Sequence, residues 1–367
     1  MTFSDSFVFN KKNIVSRIKI SSGWLYSNEL ISFLSKEAKE FYVITDSHVK
    51  LLHGDRWCEF LNDHGLKIHL LSIPSGEENK TRESKQNIED QITSLSPSAD
   101  ICIIAFGGGV VLDLGGFVAA TYRKGVKLIN IPSSLLGMVD ACLGGKVAVN
   151  TPFGKNLIGC FYPAHYILID PSLLSSLPLQ LIHDGLSEVI KYGCISHPDI
   201  FSLLEKESYD WQILIESACR EKIKIVEKDP YDQNLRKVLN YGHTIGHAIE
   251  KLSNYRISHG KAVAIGLYVE SCLSHELGYL SLEDTLRIHK LILKFHPLIE
   301  WNSSPTWKEW QNTLQHDKKK LDTKPCFVLL KKIGRACSFE GRYCTPVPEE
   351  ILRKVLIKCR YLSEEAV

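Results

Sequence analysis

The sequence lacks the features that mark secreted, membrane-spanning and nucleic-acid-binding proteins. Its 44 basic and 42 acidic residues leave a formal net charge of only +2, so overall charge indicates neither nucleic acid nor an anionic membrane as a partner. The most apolar stretch, residues 101–120, contains three consecutive glycines and Asp113, which disfavour a bilayer-spanning helix. Residues Met1–Ser6 contain neither a basic nor an apolar leader segment. We therefore expect a cytoplasmic protein that does not bind membranes.

Paired cysteines and two common catalytic motifs are also missing. The 11 cysteines include no CxxC pair, which is typical of reduced thiols rather than of a disulfide framework or a structural zinc finger. The segment Gly144-Gly145-Lys146 lacks the first glycine of a P-loop, because Asp140 stands there. The pair His275-Glu276 lacks the second histidine of an HExxH metalloprotease, because Tyr279 stands there.

The first half of the chain instead alternates strand-like and helix-like segments. Residues 101–105 are uninterruptedly apolar, which is typical of a strand buried on both faces of a parallel sheet. Ile88, Ile92 and Leu95 recur with helical spacing. The other predicted strands are residues 41–45, 66–73, 127–131 and 166–169. This alternation predicts an α/β domain with a Rossmann-like, mostly parallel sheet over residues 1–178.

Helical patterns dominate after Pro178. Amphipathic runs extend over residues 181–275 and 282–295, and a weak strand signal follows at residues 326–330. The second domain, residues 179–367, is therefore predicted to be mainly α-helical.

A glycine triplet follows the predicted strand at residues 101–105. In Gly107-Gly108-Gly109, the absence of side chains would let backbone N–H groups approach a pyrophosphate at the start of a helix. Leu112 replaces the last glycine of the strict dinucleotide-binding motif. A nucleotide site and a tight structural turn are both compatible with this pattern.

The helical half contains a candidate metal-binding set. His243 and His247 share a helix face, Glu250 follows three residues later, and His259 lies sixteen residues after His243. Glu188 lies on an earlier helix. Two or three histidines with a carboxylate form a common zinc set that leaves one position open. The alternative is a pair of core histidines with satisfied hydrogen bonds and a third on the surface.

Short blocks in a fixed order make the chain resemble the 3-dehydroquinate synthase family, within the sugar phosphate cyclases. The blocks are residues 74–80, 107–113, 132–136, 139–146, 154–156, 185–193, 239–250 and His259-Gly260. The resemblance implies a shikimate-pathway lyase that converts 3-deoxy-D-arabino-heptulosonate 7-phosphate into 3-dehydroquinate and phosphate, a step toward the aromatic amino acids. The implied route is transient NAD oxidation, phosphate elimination, re-reduction and aldol closure, in a homodimer.

The resemblance also implies a set of site residues. Zinc, for which cobalt can substitute, would be held by Glu188, His243 and His259. The residues implied for NAD are Ser75, Gly76, Glu77, Glu78, Asn79, Lys80, Gly108, Gly109, Val110, Val111, Leu112, Asp113, Ser133, Ser134, Lys146, Lys155, Leu173, Leu174, Ser175 and Ser176. The residues implied for substrate binding and catalysis are Asp140, Lys146, Asn156, Lys191, Lys222, Arg236, Asn240 and His247, with a phosphate-binding lysine in Asp317-Lys318-Lys319.

The sequence departs from the family pattern at three places. The family has an arginine before the glycine of a Tyr-x-Arg-Gly block, and this arginine reaches the partner subunit's phosphate site. Here Lys124 holds that position and Arg123 precedes it, so we expect one of these two cations to matter. Ser133-Ser134 stands where threonines are usual, and Lys261 replaces an acidic residue.

Two other functions fit the same blocks less well. Sugar phosphate cyclases that make valiolone- or inosose-type rings share them, but Asn156, Asn240 and His247 together favour the dehydroquinate type. Iron- or zinc-dependent polyol dehydrogenases resemble this architecture and release NADH, which a dehydroquinate synthase does not accumulate.

Overall fold

The computed structural model describes residues 5–11, 14–206, 208–297, 305–315, 320–321 and 324–362. The chain forms two compact units, the N-terminal unit Met1–Pro178 and the C-terminal unit Leu179–Val367. Within the described ranges, no helix is both long and apolar enough to cross a membrane. The motif Asp317-Lys318-Lys319 lies outside the described residues.

The N-terminal unit is built on a seven-stranded sheet in the order β1-β2-β9-β6-β5-β3-β4. Six of these strands are parallel, and β1 adds an antiparallel edge. The strands of this unit are β1 (Asp5–Lys11), β2 (Ile14–Ile20), β3 (Glu40–Asp46), β4 (Ile68–Ile73), β5 (Ile101–Gly107), β6 (Lys127–Pro132), β7 (Lys146–Thr151), β8 (Gly154–Phe161) and β9 (Tyr166–Ile169). Its helices are α1 (Asn28–Glu37), α2 (Ser47–Val49), α3 (Asp55–Asp63), α4 (Arg82–Ser94) and α5 (Gly109–Thr121).

The predicted α/β class of this unit is confirmed. All five predicted strands occur, and β5 is buried along its whole length at the centre of the sheet, as its apolar run indicated. No sequence pattern predicted β1, β2 or the antiparallel β7–β8 hairpin. The hairpin carries Lys146, Lys155 and Asn156, and its strand β8 is mostly exposed, so no apolar run marked it.

The start of β3 carries a buried carboxylate. Glu40 is 1% exposed and accepts hydrogen bonds from Tyr42 Oη, the Ser98 backbone N–H and His69 Nε2, each at 2.9 Å, with Lys67 Nζ also at 2.9 Å. Burial by itself would raise the pKa of this carboxyl, but these donors outweigh burial and lower the pKa from 4.5 to about 2.

We expect Glu40→Gln to destabilise the N-terminal unit at neutral pH and to matter little in strong acid. The lowered pKa corresponds to about 3 kcal/mol of unfolding free energy, which is present above pH 4.5 and is lost as the pH falls through about 2. Urea unfolding followed by Trp24 and Trp57 fluorescence at pH 7 and at about pH 2 measures this difference. The matched control is the exposed Glu59→Gln. Equal unfolding midpoints for Glu40→Gln and the unmodified protein at pH 7 would contradict this account.

The C-terminal unit is mainly helical, which confirms the predicted class. Its helices are α6 (Leu179–Ile195), α7 (Pro198–Glu205), α8 (Trp211–Lys228), α9 (His243–Leu252), α10 (His259–Glu276), α11 (Leu282–Phe295), α12 (Trp307–Gln315) and α13 (Glu349–Lys358). Its short strands are β10 (Lys320–Leu321), β11 (Lys324–Phe327), β12 (Leu330–Lys332), β13 (Arg335–Ala336) and β14 (Thr345–Pro346). The weak strand signal at residues 326–330 spans parts of two strands, because β11 pairs with β14 while β12 pairs with β13.

Candidate functional site

Three helices of the C-terminal unit bring a carboxylate and two imidazoles together. Glu188 lies on α6, while His243 and His259 are the first residues of α9 and α10. The Nε2 atoms of His243 and His259 lie 3.3 and 3.5 Å from the same oxygen, Glu188 Oε1. One potential ligand atom from each of the three residues lies within 4.8 Å of the other two, which is close enough for all three to bind one metal ion.

The outer nitrogen of each imidazole is already engaged. His243 Nδ1 lies 3.1 Å from the Tyr241 carbonyl oxygen, which can only accept, so Nδ1 carries a proton and Nε2 is the nitrogen that faces Glu188. His259 Nδ1 lies 3.4 Å from Oε2 of the buried Glu250. Metal-binding histidines characteristically have such a carbonyl or carboxylate behind them, because it fixes the ring and its tautomer.

The electrostatics of the cluster are those of a cation site. Glu188 is fully buried, and neither of its oxygens accepts a hydrogen bond of regular geometry from the described residues. Burial raises its pKa, but the Lys191 ammonium and the two imidazoles outweigh burial and hold the pKa well below its usual range. Burial likewise opposes the charged form of His259, but Glu188 and Glu250 raise its pKa to about 10. One carboxylate and two imidazole nitrogens with a position left open fit zinc or a similar divalent metal.

A second arrangement, His247 with Glu250 and His259, also meets the distance requirement. The two clusters share His259 and use different sides of its ring, since Nε2 faces Glu188 and Nδ1 faces Glu250. The Glu188 cluster is the better metal site, because it contains the buried carboxylate without a regular hydrogen bond and leaves Glu250 to orient His259. The His247 ring lies 5.5 Å from the His243 ring, measured between centroids, and so borders this cluster.

We expect Glu250→Gln to weaken metal binding without abolishing it. A glutamine can still accept a hydrogen bond from His259 Nδ1 but has no negative charge, and loss of such an outer-shell partner costs about 10- to 100-fold in metal affinity. Zinc titration against a competing chelator measures the change. The exposed Glu283→Gln on α11 is the control, and an unchanged affinity in Glu250→Gln would contradict the assigned role.

Close helix packing holds the ligands in register. A Cβ on Gly260 would lie 2.2 Å from Asp184 Cα, and one on Gly266 would lie 1.8 Å from the Gly242 carbonyl oxygen. Because both glycines lack side chains, α10 approaches α6 and α9 closely enough for His259 and His243 to face Glu188. The fully buried Glu270 on α10 accepts hydrogen bonds from the Gly242 and Ile245 backbone N–H groups, at 2.7 and 3.3 Å. It therefore caps the helix that begins at His243.

The other predicted residues of this unit are mostly buried cations. Lys191 Nζ contacts Glu188 Oε2 and is 1% exposed, Lys222 on α8 is 5% exposed, and Arg236 is 4% exposed. Arg236 and Asn240 lie on the short helix Leu235–Asn240, which packs against α8. Arg236 Nη1 donates to the Pro230 carbonyl oxygen at 3.0 Å. Buried lysine and arginine side chains are rare in proteins, so this group is a candidate for binding an anion.

In the N-terminal unit, the glycine triplet lies where a parallel sheet binds its ligands. β5 ends at Gly107, Gly108 is the N-cap of α5 without a side-chain hydrogen bond, and α5 begins at Gly109. The Ser133 N–H donates to the Gly107 carbonyl oxygen at 2.9 Å, so the Ser133-Ser134 pair lies beside the triplet at the end of β6. The triplet, the serines and the first turn of α5 (Val110, Val111, Leu112 and Asp113) are thus brought together at the carboxyl ends of two neighbouring strands.

The segment 75–80 is joined to this region through Lys80. Lys80 is 3% exposed, and its Nζ donates to the Asp113 carboxylate and to Asn156 Oδ1, the latter at 2.7 Å. Asn150 Nδ2 donates to Glu77 Oε1 at 2.7 Å, which ties the same segment to the β7–β8 hairpin. Residues implied for NAD (Ser75, Gly76, Glu77, Glu78, Asn79, Lys80, Lys155) and for substrate (Asp140, Lys146, Asn156) thus lie on segments of the N-terminal unit.

Four further residues implied for NAD lie on the short helix Pro171–Ser176 after β9. Leu173 and Leu174 are buried at 6% and 5% exposure, so their side chains belong to the core. Ser175 is exposed, and Ser176 Oγ lies 2.7 Å from His53 Nε2. These serines follow β9, which lies two strands from β5 and its glycine triplet, because β6 pairs with both.

Arg123 and Lys124 lie in a tight turn rather than on a strand. Both have positive φ values, 48° and 67°, and the turn continues into Gly125 at φ 121°. Both side chains are exposed, and the Arg123 guanidinium donates to the Ser98 and Pro97 carbonyl oxygens at 2.5 and 3.0 Å. Arg123 is therefore occupied inside its own chain.

Comparison with known proteins decides the family. Residues 70–184 match the family model for the 3-dehydroquinate synthase N-terminal region, and residues 185–320 match that for the C-terminal region. A 3-dehydroquinate synthase of Desulforamulus reducens is 39% identical over 320 residues, covering 84% of this chain and 89% of that protein. One from Chlamydia caviae is 37% identical over 352 residues, covering 90% and 93%. The chain belongs to the 3-dehydroquinate synthase family.

Solved structures with this fold include other sugar phosphate cyclases. A 2-deoxy-scyllo-inosose synthase complexed with carbaglucose-6-phosphate, NAD+ and Co2+ aligns with a TM-score of 0.85 and 26% identity, covering 96% of this chain and 99% of that one. A 2-epi-5-epi-valiolone synthase from Streptomyces hygroscopicus aligns with a TM-score of 0.84 at 23% identity, covering 96% and 99%. An iron-containing alcohol dehydrogenase reaches only 0.61 at 14% identity, covering 94% and 97%. The 3-dehydroquinate synthase family therefore shares its fold with enzymes of several activities.

Several residues that shape the site escaped the sequence analysis. Glu270 and Gly266 shape the candidate metal cluster but lie in none of the blocks that carry the family resemblance, while Tyr241 lies in the block at residues 239–250 without an implied role. Glu270 could have been noticed because it is the one charged residue within residues 262–273, which are otherwise mostly apolar. The sequence did not indicate the role of Gly266, which depends on the approach of α10 to the start of α9, or that of the Tyr241 carbonyl oxygen, which depends on the orientation of the His243 ring.

Proposed function

We propose that this chain is a lyase that converts 3-deoxy-D-arabino-heptulosonate 7-phosphate into 3-dehydroquinate and phosphate. The observation that carries the proposal is the convergence of Glu188, His243 and His259 in a chain that belongs to the 3-dehydroquinate synthase family. The product belongs to the shikimate pathway and is used for chorismate and aromatic amino acids.

The proposed cofactors are zinc, replaceable by cobalt, and NAD. Zinc is held by Glu188, His243 and His259, and NAD by the glycine triplet with its neighbouring segments, so the two units are respectively the NAD-binding domain (residues 1–178) and the zinc- and substrate-binding domain (residues 179–367). When bound, zinc supplies Lewis acidity that lowers the pKa of a substrate hydroxyl, and NAD supplies a reversible hydride acceptor. The solved inosose and valiolone synthases that contain NAD+ with Co2+ or Zn2+ support this choice.

The chain's own side chains bind and orient the substrate. Lys191, Lys222 and Arg236 hold anionic groups in surroundings of low dielectric, where a charge-assisted hydrogen bond is stronger than in water. His247 lies beside the ligand histidines, where an imidazole nitrogen can move a proton at a substrate hydroxyl. Asp140, Lys146, Asn156 and Asn240 complete the proposed substrate-binding set. Fixing the substrate in one reactive geometry can contribute about 7–11 kcal/mol toward lowering the barrier.

We further propose that the enzyme is a cytoplasmic homodimer. The β7–β8 hairpin supports self-association, since β8 pairs only with β7 among the described residues. The hairpin also exposes Phe153, Leu157 and Ile158, at 92%, 41% and 38% of their surface. Sedimentation of the purified protein at micromolar concentration should give twice the mass of one chain, and a monomer would contradict the proposal.

The activity assay must separate three enzymes that share this fold. Incubation with the heptulosonate phosphate, zinc and NAD should release phosphate continuously and yield a carbocycle, while NADH does not accumulate because it returns its hydride. Stoichiometric NADH would indicate a polyol dehydrogenase. Turnover of a hexose phosphate, with none of the heptulosonate phosphate, would indicate an inosose-type cyclase. Either result would overturn the proposed function.

Lys124 should matter for substrate binding more than Arg123. The exposed ammonium of Lys124 is available to a phosphate across a subunit interface, whereas the Arg123 guanidinium is bound to two carbonyl oxygens of its own chain. We expect Lys124→Ala to raise the substrate KM about tenfold, with NAD affinity unchanged. Arg123→Ala should lower stability and leave KM near its original value. A larger KM effect from Arg123→Ala would reverse the assignment. An unchanged KM in both variants would mean that neither side chain reaches the phosphate site of the partner subunit.

A further inference from the structure

Two cysteines of the C-terminal unit lie in contact. Cys272 is in the second half of α10, and Cys359 is the C-cap residue of α13, so 87 positions separate them in the chain. Their Sγ atoms lie 3.7 Å apart, and both side chains are partly exposed. Most of the other cysteines are buried, so this pair combines mutual contact with access for a small reagent.

An imidazole N–H is directed at one of the two sulfurs. His289 on α11 stacks on Tyr268 with ring centroids 3.6 Å apart, and its Nε2 lies 3.0 Å from Ser271 Oγ and 3.5 Å from Cys272 Sγ. Ser271 Oγ donates its own hydrogen to the Tyr268 carbonyl oxygen at 2.7 Å. Ser271 Oγ can therefore only accept from His289, so Nε2 carries a proton and shares it with Cys272 Sγ.

The two sulfurs consequently differ in character. The Cys359 thiol donates to Cys272 Sγ, and the N–H of His289 and the charge of Lys358 add to this effect. The hydrogen bond from Cys359 lowers the pKa of Cys272 more than burial raises it, while the same contact and burial raise the pKa of Cys359. A stabilised thiolate beside a protonated thiol is the arrangement of a nucleophilic cysteine with a resolving partner.

We propose that Cys272 is a hydroperoxide-reactive thiol and that Cys359 resolves it into an intramolecular disulfide between α10 and α13. The Cys272 thiolate attacks the peroxide, the O–O bond breaks, and a sulfenic acid forms while the other oxygen leaves as an alcohol or water. Cys359 then loses its proton and attacks the sulfenic sulfur, so that the S–S bond forms and the S–O bond breaks with release of water. The two sulfurs together lose two electrons, and the peroxide gains them.

The disulfide would close a loop of 87 residues and join α10 to the last described helix. A cross-link of this length restricts the unfolded chain strongly. The oxidised protein should therefore unfold at a higher temperature than the reduced protein. His259 begins α10 and Cys272 lies thirteen residues later in the same helix, so the proposal does not depend on the function of the candidate metal site.

The test uses the fully reduced, full-length protein and equimolar hydrogen peroxide. Free thiols are then blocked with N-ethylmaleimide, and proteolytic peptides are identified by mass. We expect a linked Cys272–Cys359 peptide and the loss of two thiols per peroxide consumed. In Cys359→Ser, a dimedone-trapped sulfenic acid should accumulate at Cys272. In Cys272→Ser, the remaining Cys359 should not react with the peroxide. Oxidation of the exposed Cys160 first, with Cys272 still open to alkylation, would overturn the proposal.

The role of His289 as a positioning residue is tested separately with His289→Phe. Phenylalanine keeps a ring against Tyr268 but has no N–H for Cys272. We expect alkylation of Cys272 by iodoacetamide at neutral pH to slow about tenfold relative to Cys344 in the same protein. The partly exposed Cys344 serves as the internal reference, and reaction of the buried Cys194 would reveal any unfolding. An unchanged ratio of the two rates in a folded variant would exclude His289 from activating Cys272.

Discussion

Replacing His243 by alanine should remove the bound metal and lower phosphate release by about a thousandfold. His243 presents Nε2 to the ligand cluster because its Nδ1 donates to the Tyr241 carbonyl oxygen, and alanine supplies no ligand atom. Metal-assisted polarisation contributes several kcal/mol to the stability of a transition state, and about 4 kcal/mol corresponds to a thousandfold change in rate. Metal content by atomic emission and the phosphate-release rate measure the two effects.

The control for His243→Ala is His275→Ala, a histidine on α10 whose Nδ1 lies 2.9 Å from the Leu280 carbonyl oxygen, away from the cluster. That variant should keep its metal and most of its activity. NAD binding should survive in both variants, because the residues proposed to bind NAD lie in the N-terminal unit. Full metal occupancy in His243→Ala would remove the basis of the zinc assignment.

Replacing Gly266 by alanine should destabilise the C-terminal unit by about 3 kcal/mol or more. The added Cβ would lie 1.8 Å from the Gly242 carbonyl oxygen and 3.0 Å from the Gly246 backbone nitrogen. These atoms belong to the backbone at the start of α9, so they can yield only if the helix moves. Because His243 follows Gly242 directly, the same movement should weaken metal binding.

Gly54→Ala is the matched control for this prediction. Gly54 also has helical backbone angles, but its nearest neighbour to an added Cβ lies 3.6 Å away, at ordinary contact distance. Its replacement should be neutral or slightly stabilising, because alanine favours helix by up to about 1 kcal/mol over glycine. Thermal unfolding of both variants with and without zinc measures the difference. Equal melting temperatures would show that α9 and α10 can separate without cost.

Local patterns in the chain were sufficient for the fold class. β5 is a continuous apolar run and β3 and β6 are mostly apolar, because both faces of these strands are buried, and α11 begins and ends where its helical spacing indicated. The β7–β8 hairpin carried no such pattern, because β8 is mostly exposed and the buried apolar run of β7 is only three residues long, Val147–Val149. Its residues Lys146 and Asn156 were therefore recognised only through resemblance to the family.

The sequence by itself determined the family, the fold class of each half, and the three side chains proposed to bind zinc, because each is encoded in a short block or a periodic run. Tertiary structure decided which nitrogen of each histidine faces Glu188, that Glu270 caps α9, that Arg123 is occupied within its own chain, and that Cys272 meets Cys359. These features join residues that are distant in the chain or depend on the hydrogen-bond partner of a single atom. Such contacts arise only when helices and strands pack, and no local spacing encodes them.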